Sequence, residues 1–144
     1  MKKILIVEDQ SGPLEALEFA VRKVFPAYFP QFHHDLVQCH EDAQRLIRSG
    51  YDIILLDHIM PLKNMGNLED IDFELFSKSL KPVGYSLIND IREQNPQTIV
   101  IGTSSLTASE LRMQPPPDYV MSKQWNQAEK DLVRILAEVG TKNK

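Results

Sequence analysis

What this chain of 144 residues lacks narrows the field first. It has one cysteine, Cys39, so no internal disulfide can form, which fits a reducing compartment. No run of apolar residues exceeds four, far short of the roughly 20 that a membrane-spanning helix needs. The start, Met1-Lys-Lys-Ile-Leu-Ile-Val-Glu-Asp9, has too few apolar residues for a signal peptide. Basic charge is not in excess: 16 Lys and Arg stand against 20 Asp and Glu, a formal charge of −4, with no basic stripe. Nucleic acid and membrane are therefore not expected as direct partners. Internal repeats and low-complexity segments are missing too, apart from the triplet Pro115-Pro-Pro117. The expectation is a cytoplasmic protein, with residues 1–144 forming a single domain large enough to bury its own core.

The apolar runs that are present are short and β-branched. Ile4-Leu-Ile-Val7 and Ile53-Ile-Leu-Leu56 are too short for globular helices and too uniformly apolar for half-exposed strands. Both read as strands buried on two faces, the pattern of a parallel sheet covered by helices. Thr98–Ile101 and Tyr119–Met121 read as further strands, and the more polar Phe32–Cys39 suits an edge. Between them lie helical patterns. Leu14, Leu17, Val21 and Val24 recur at helical spacing after a start at Ser11, Gly12 and Pro13. Glu41–Ser49 is a short helix stopped by Gly50, and Gly84–Gln94 carries Leu87, Ile88 and Ile91 on one side. Thr107-x-x-Glu110 resembles a capping box that opens another helix. Ala128, Leu132, Ile135, Leu136 and Val139 mark the closing one. Strands alternating with helices predict an α/β fold, a doubly wound five-stranded parallel sheet flanked by five helices with right-handed crossovers. Pro61 is expected to stop the third strand. The stretch 62–83 that follows exceeds the usual 2–6 residues of such connections and carries many large apolar residues, so it predicts a partly helical inserted lobe.

The chemistry is expected at the carboxyl ends of the strands, where open α/β sheets bind ligands. Those ends carry Glu8 and Asp9, Asp57, Thr103 and Lys123. If they share one edge, three carboxylates, a hydroxyl and an ammonium converge. Crowded carboxylates call for a hard cation with oxygen ligands, and Mg²⁺ suits a small site that keeps several waters. A hydroxyl and a lysine beside it are what phosphoryl oxygens require, and the remaining carboxylate, Asp57, is then placed as a nucleophile. By contrast, His33 and His34 are adjacent on a strand and point to opposite faces, so they do not chelate jointly.

At these residues the chain resembles the receiver domains of response regulators, in particular the stand-alone chemotaxis type. The matching motifs are Ile4-Leu-Ile-Val-Glu-Asp9, Asp52-Ile-Ile-Leu-Leu-Asp-x-x-Met-Pro61, Gly84 opening a helix, Ile99-Val-Ile-Gly-Thr-Ser104, and Lys123 after Tyr119-Val-Met121. The resemblance spans nearly everything outside 62–83. It implies a flavodoxin-like strand order 2-1-3-4-5 and Asp57 as the acceptor of a phosphoryl group in a Mg²⁺-dependent reaction. It also implies Asp9 as a metal ligand, Glu8 assisting through water, and the Ile59 main-chain carbonyl as a further ligand. Thr103 is the hydroxyl that follows the phosphoryl group, Lys123 the site lysine, and Ser104 the small residue at the entrance. The implied partners are a histidine kinase or histidine phosphotransfer protein and a downstream protein target. The implied role is a two-component switch rather than an enzyme, with self-phosphorylation and self-dephosphorylation as its only chemistry.

The chain departs from that pattern in three places. Gln124 stands where the family usually has proline, and Tyr119 lies one residue farther from the lysine than the family's switch aromatic, whose place Val120 takes. The third departure is the insertion. These departures support a second reading, a phosphorylation-independent interaction module on the same scaffold. A phosphohydrolase with an Asp nucleophile is a weaker third, because the second acid such enzymes use would fall at Ile59.

Overall fold

The computed structural model describes residues 1–62, 74, 78–103 and 114–142. In chain order these form β1 (Lys2–Val7), α1 (Ser11–Val24), β2 (Phe32–Val37), α2 (His40–Leu46), β3 (Ile53–Leu56), β4 (Ile59–Pro61), β5 (Leu80–Pro82), α3 (Leu87–Gln94), β6 (Ile99–Gly102), β7 (Tyr119–Val120) and α4 (Trp125–Lys142). Single turns of 3₁₀-helix follow α1 and α2 and precede α3. Four α-helices are thus among the described residues; the helix expected at Thr107–Glu110 and the entrance residue Ser104 lie outside them.

Five strands form one parallel sheet in the order β2-β1-β3-β6-β7, which is the expected 2-1-3-4-5 once β4 and β5 are set apart. Side chains alternate across it as the pleat requires. Ile4, Ile6, Ile53, Leu55 and Ile101 face α1 and α4, where Leu17, Val21, Leu132 and Ile135 complete one core. Leu5, Val7, Ile54, Leu56 and Val100 face α2 and α3, with Ala43, Leu87, Ile88 and Ile91. Both faces are covered, which is why the strand sequences are apolar at every position. Each fully buried Leu or Ile contributes about 1.5–3 kcal/mol relative to exposure. At α1 neither Ser11 nor Gly12 is the cap that the sequence suggests: Ser11 is the first helical residue, and Gln10 is the cap and supplies no side-chain bond.

Register is what builds the site. Val7 pairs with Val37 and Leu56, Leu56 with Gly102, and Gly102 with Val120. The next residue of each strand continues the ladder: Glu8 N–H donates to Val37 O, Asp57 N–H to Val7 O, Thr103 N–H to Leu56 O and Met121 N–H to Gly102 O. Residues 8, 57, 103 and 121 therefore stand in one row just past the sheet's edge.

Pro61 does not end the third strand. That strand ends at Leu56, and Pro61 lies in β4, which pairs antiparallel with β5 (Ile59 with Pro82, Met60 with Lys81, Pro61 with Leu80). Val83 N–H donates to His58 O at 3.0 Å. By the alternation of antiparallel ladders, Ile59–Pro82 and Pro61–Leu80 are then the non-hydrogen-bonded pairs. Both prolines occupy positions where no N–H is needed, so the ribbon tolerates them. The described ends of the insertion are thus part of the frame. Leu62 O also accepts the Glu41 N–H in the first turn of α2.

Candidate functional site

Glu8, Asp9 and Asp57 are all buried, and one oxygen from each lies within 4.8 Å of the others. Lys123 reaches across the sheet edge to them. Its Nζ donates to Glu8 Oε2 at 3.0 Å and Oε1 at 3.2 Å, and stands 3.3 Å from Asp57 Oδ2. Asp57 Oδ1 accepts the His58 N–H at 2.9 Å. Thr103 is buried, and its Oγ1 has no hydrogen-bond partner among the described residues; the same holds for Asp9 Oδ2.

The electrostatics follow from crowding three acids beside one ammonium. Burial, then the charge of Asp57, pushes Glu8 up to about 8 against the pull of Lys123. Burial and Asp57 likewise push Asp9 up to about 7. For Lys123, burial alone would lower the ammonium, but the charges of Asp57 and Glu8 outweigh it and hold it above its ordinary value. In the metal-free pocket the acids therefore hold protons near neutral pH, because one lysine does not compensate three buried carboxylates. This is the condition that a hard divalent cation relieves. One oxygen from each of the three acids lies within 4.8 Å of the others, so a single small cation with oxygen ligands could be shared among them. The orphaned Asp9 Oδ2 is a donor atom available to such an ion. Ile59, two residues past Asp57, lies in a non-hydrogen-bonded pair, so its main-chain carbonyl points away from β5 and is not consumed by the ribbon.

Comparison with solved structures supplies the context. A search against protein-family models finds no match, and a search of curated proteins finds none either. Solved structures do match over nearly the whole length. The receiver protein of Sinorhizobium medicae superposes at a TM-score of 0.67, with 16% identity over 99% of this chain and 97% of that one. The chemotaxis response regulator CheY4 of Vibrio cholerae gives 0.65, with 14% identity over 96% and 98%. A structure described as the BeF3-activated DrrB receiver domain also gives 0.65, with 17% identity over 99% and 98%. The fold is that of a response-regulator receiver domain. On the receiver fold, the acids, Thr103 and Lys123 expected from sequence fall at the carboxyl edge of the sheet and within reach of one another.

Around these residues the structure adds contacts of His58, Gly84 and Asp131 that the sequence does not reveal. His58 is fully buried, and its Nδ1 accepts the Tyr85 N–H at 3.0 Å while the two rings meet at a tilt of 46° with centroids 4.9 Å apart. Burial holds the ring below its ordinary range against the upward pull of Asp57. Its carbonyl takes the N–H groups of Val83 and Gly84. Gly84 is needed for its size, since a Cβ there would lie 1.8 Å from Asp57 O. Asp131 on α4 accepts the Ser122 N–H beside Lys123. The only sequence signal for His58 was its adjacency to Asp57; Asp131 had none, being one acid among several on the polar side of an amphipathic helix. Tyr119 packs against the α1–α4 core and Val120 is 55% exposed, so the residue in the switch-aromatic position is an outward valine.

Proposed function

We propose that the chain is the phosphoacceptor switch of a two-component phosphorelay, acting in the cytoplasm. The observation that carries this reading is the buried set Glu8–Asp9–Asp57 with Lys123 on Asp57, and a buried Thr103 hydroxyl at the same sheet edge that has no hydrogen-bond partner among the described residues. Asp57 is the nucleophile. One carboxylate oxygen forms a bond to phosphorus as the P–N bond of a phosphohistidine on a kinase or phosphotransfer protein breaks, and the electron pair leaves with the imidazole. Glu8, Asp9, Asp57 and the Ile59 carbonyl would hold Mg²⁺, which supplies charge neutralisation to the phosphoryl oxygens when bound. Lys123, already at Asp57, exchanges its carboxylate contact for a phosphoryl oxygen, and Thr103 Oγ1 turns toward another. Movement of Thr103 at the end of β6 then biases a protein-binding surface near β6 and β7 between two states. On this reading the chain is a switch rather than a turnover enzyme, with self-phosphorylation and self-dephosphorylation as its only chemistry.

The outward Val120 favours the alternative, a receiver-like binding module that signals without phosphorylation. Intact-mass measurement after incubation with acetyl phosphate and Mg²⁺ separates the two. A single phosphoryl group on wild type and none on Asp57→Asn is expected. No adduct from acetyl phosphate or any phosphohistidine donor would establish the module instead, and sustained phosphate release over many turnovers would indicate a hydrolase.

A further inference from the structure

Lys123 sits between β7 and α4, two residues past Met121, the last core residue of that strand end. Beside it lies a cleft of about 510 Å³, lined by Pro13, Thr103, Val120, Ser122, Lys123 and Asp131. The turn is held by a chain of polar contacts. Met121 N–H makes the last bond to β6, donating to Gly102 O at 2.9 Å. One residue on, Ser122 N–H leaves the sheet altogether and donates to Asp131 Oδ2 at 2.8 Å. The Ser122 hydroxyl in turn accepts the Gln124 N–H at 3.1 Å, and the Gln124 carbonyl accepts the Ala128 N–H at 2.8 Å, which joins the turn to α4. Asp131 is itself fixed, because its Oδ1 accepts Gln127 Nε2 at 2.8 Å from one helical turn earlier. The lysine's backbone is thereby pinned on the side facing α4 while its ammonium crosses to Glu8 and Asp57.

We propose that Asp131 is a positioning residue for Lys123: it holds the Ser122–Gln124 turn against α4 so that the ammonium stands at Asp57 before any phosphoryl group arrives. The inference rests on the reading of Asp57 as a phosphoacceptor and adds a residue to it. The physical case is entropic. A lysine side chain has four rotatable carbon bonds, and a loose turn beneath it would multiply the positions its ammonium samples. Holding the backbone confines that sampling to the neighbourhood of the two carboxylates. Residues that orient a catalytic group in this way affect rate by about 10–100-fold without touching the reacting atoms.

The test compares wild type, Asp131→Ala and Asp131→Asn as full chains. Alanine is the best helix former and does not weaken α4; asparagine keeps an oxygen that can accept the Ser122 N–H. Two quantities are measured: the rate of adduct formation with acetyl phosphate at saturating Mg²⁺, and the ¹⁵N–¹H signal of the Lys123 ammonium. Asp131→Ala is expected to slow the adduct about 10–100-fold and to move the Lys123 signal to that of a free lysine. Its Mg²⁺ affinity should stay within about threefold of wild type, because the metal's acids come from β1 and β3. Asp131→Asn should restore both rate and signal. An unchanged Lys123 signal in Asp131→Ala overturns the proposal whatever the rate. So does an Asn variant as slow as Ala, which would make the charge rather than the acceptor responsible. If Asp131→Ala does not fold, Asp131→Glu, which displaces the acceptor by one methylene, is read in the same way. If wild type takes no phosphoryl group, the switch reading fails and the ammonium signal alone still decides the role of Asp131.

Discussion

At the scale of single residues, the site depends on close backbone approach as much as on its charged groups. Gly84 begins the turn before α3 directly against the Asp57 carbonyl, and the nearest atoms to an added Cβ include the Asp57 O and the His58 Cα. Backbone cannot move aside as the end of a side chain can. Gly84→Ala is therefore expected to cost about 3 kcal/mol or more, beyond the usual 1–3 for overpacking. Gly140→Ala, where a Cβ meets nothing within 4 Å inside α4, should stabilise by about 0.5–1 kcal/mol. Urea unfolding of the two variants checks the contrast, and equal costs would contradict it. A glycine opening a helix was legible in the sequence; why it must be glycine was not, because the atom it avoids is 27 positions earlier. The acids, Thr103 and Lys123 were legible for the opposite reason. Each follows an apolar run, and parallel register alone brings such positions together.

At the scale of elements, strands and helices with a single buried stripe could be read from period, whereas the β4–β5 ribbon could not. Three-residue strands carrying Pro61 and Pro82 have no periodicity to detect, and proline normally argues against a strand. What holds the ribbon is pairing between segments about 20 residues apart, together with His58, whose carbonyl and ring accept three consecutive N–H groups from Val83, Gly84 and Tyr85. His58 thus ties the return of the insertion and the start of α3 to the residue after Asp57. Replacing His58 by Leu leaves the buried Tyr85 N–H without its acceptor, which should cost about 1–3 kcal/mol. Asparagine, whose amide oxygen sits near the position of Nδ1, should recover part of that loss. Thermal unfolding of the two variants decides; equal losses would mean that ring volume and not the hydrogen bond matters. The ribbon also sharpens where the insertion can be cut. Removing residues 63–78 and joining Leu62 to Ser79 through a short Gly-containing turn keeps β4, β5 and the Leu62–Glu41 bond, so Mg²⁺ binding should persist. Removing 62–83 takes away β5 and both Val83 contacts and should weaken Mg²⁺ binding through His58 and Asp57, as isothermal titration would report.

At the scale of the whole molecule, the acid cluster links folding to pH and to the cation. Folding raises Glu8 from 4.5 to about 8 and Asp9 from 3.8 to about 7. A carboxyl with a raised pKa binds its proton more tightly in the native state. Its stabilising contribution is therefore full below the unfolded value near 4 and is lost as pH rises through 7 to 8. His58 works in the opposite sense, being held below its ordinary 6.5, but it is neutral in both states above that value. The range between pH 7 and 8.5 therefore isolates the acids. Across it, stability without divalent cation should fall, at up to about 1.4 kcal/mol per pH unit for each proton of difference. Mg²⁺ binds the deprotonated acids and reverses the trend: at about 100 times its dissociation constant it adds about 2.7 kcal/mol, and its apparent affinity should rise from pH 6 to 8 because binding releases protons. Asp57→Asn removes the charge that helps raise both neighbours, so the metal-free variant should be more stable than wild type at pH 8 and its pH profile flatter. Thermal midpoints at pH 6, 7 and 8, with Mg²⁺ and with chelator, test the whole scheme. A Mg²⁺ increment that is the same at all three values would show that the acids are already ionised in the free protein. The proton linkage through Glu8 and Asp9 would then be refuted, and with it the dependence of folding stability on this cluster between pH 6 and 8.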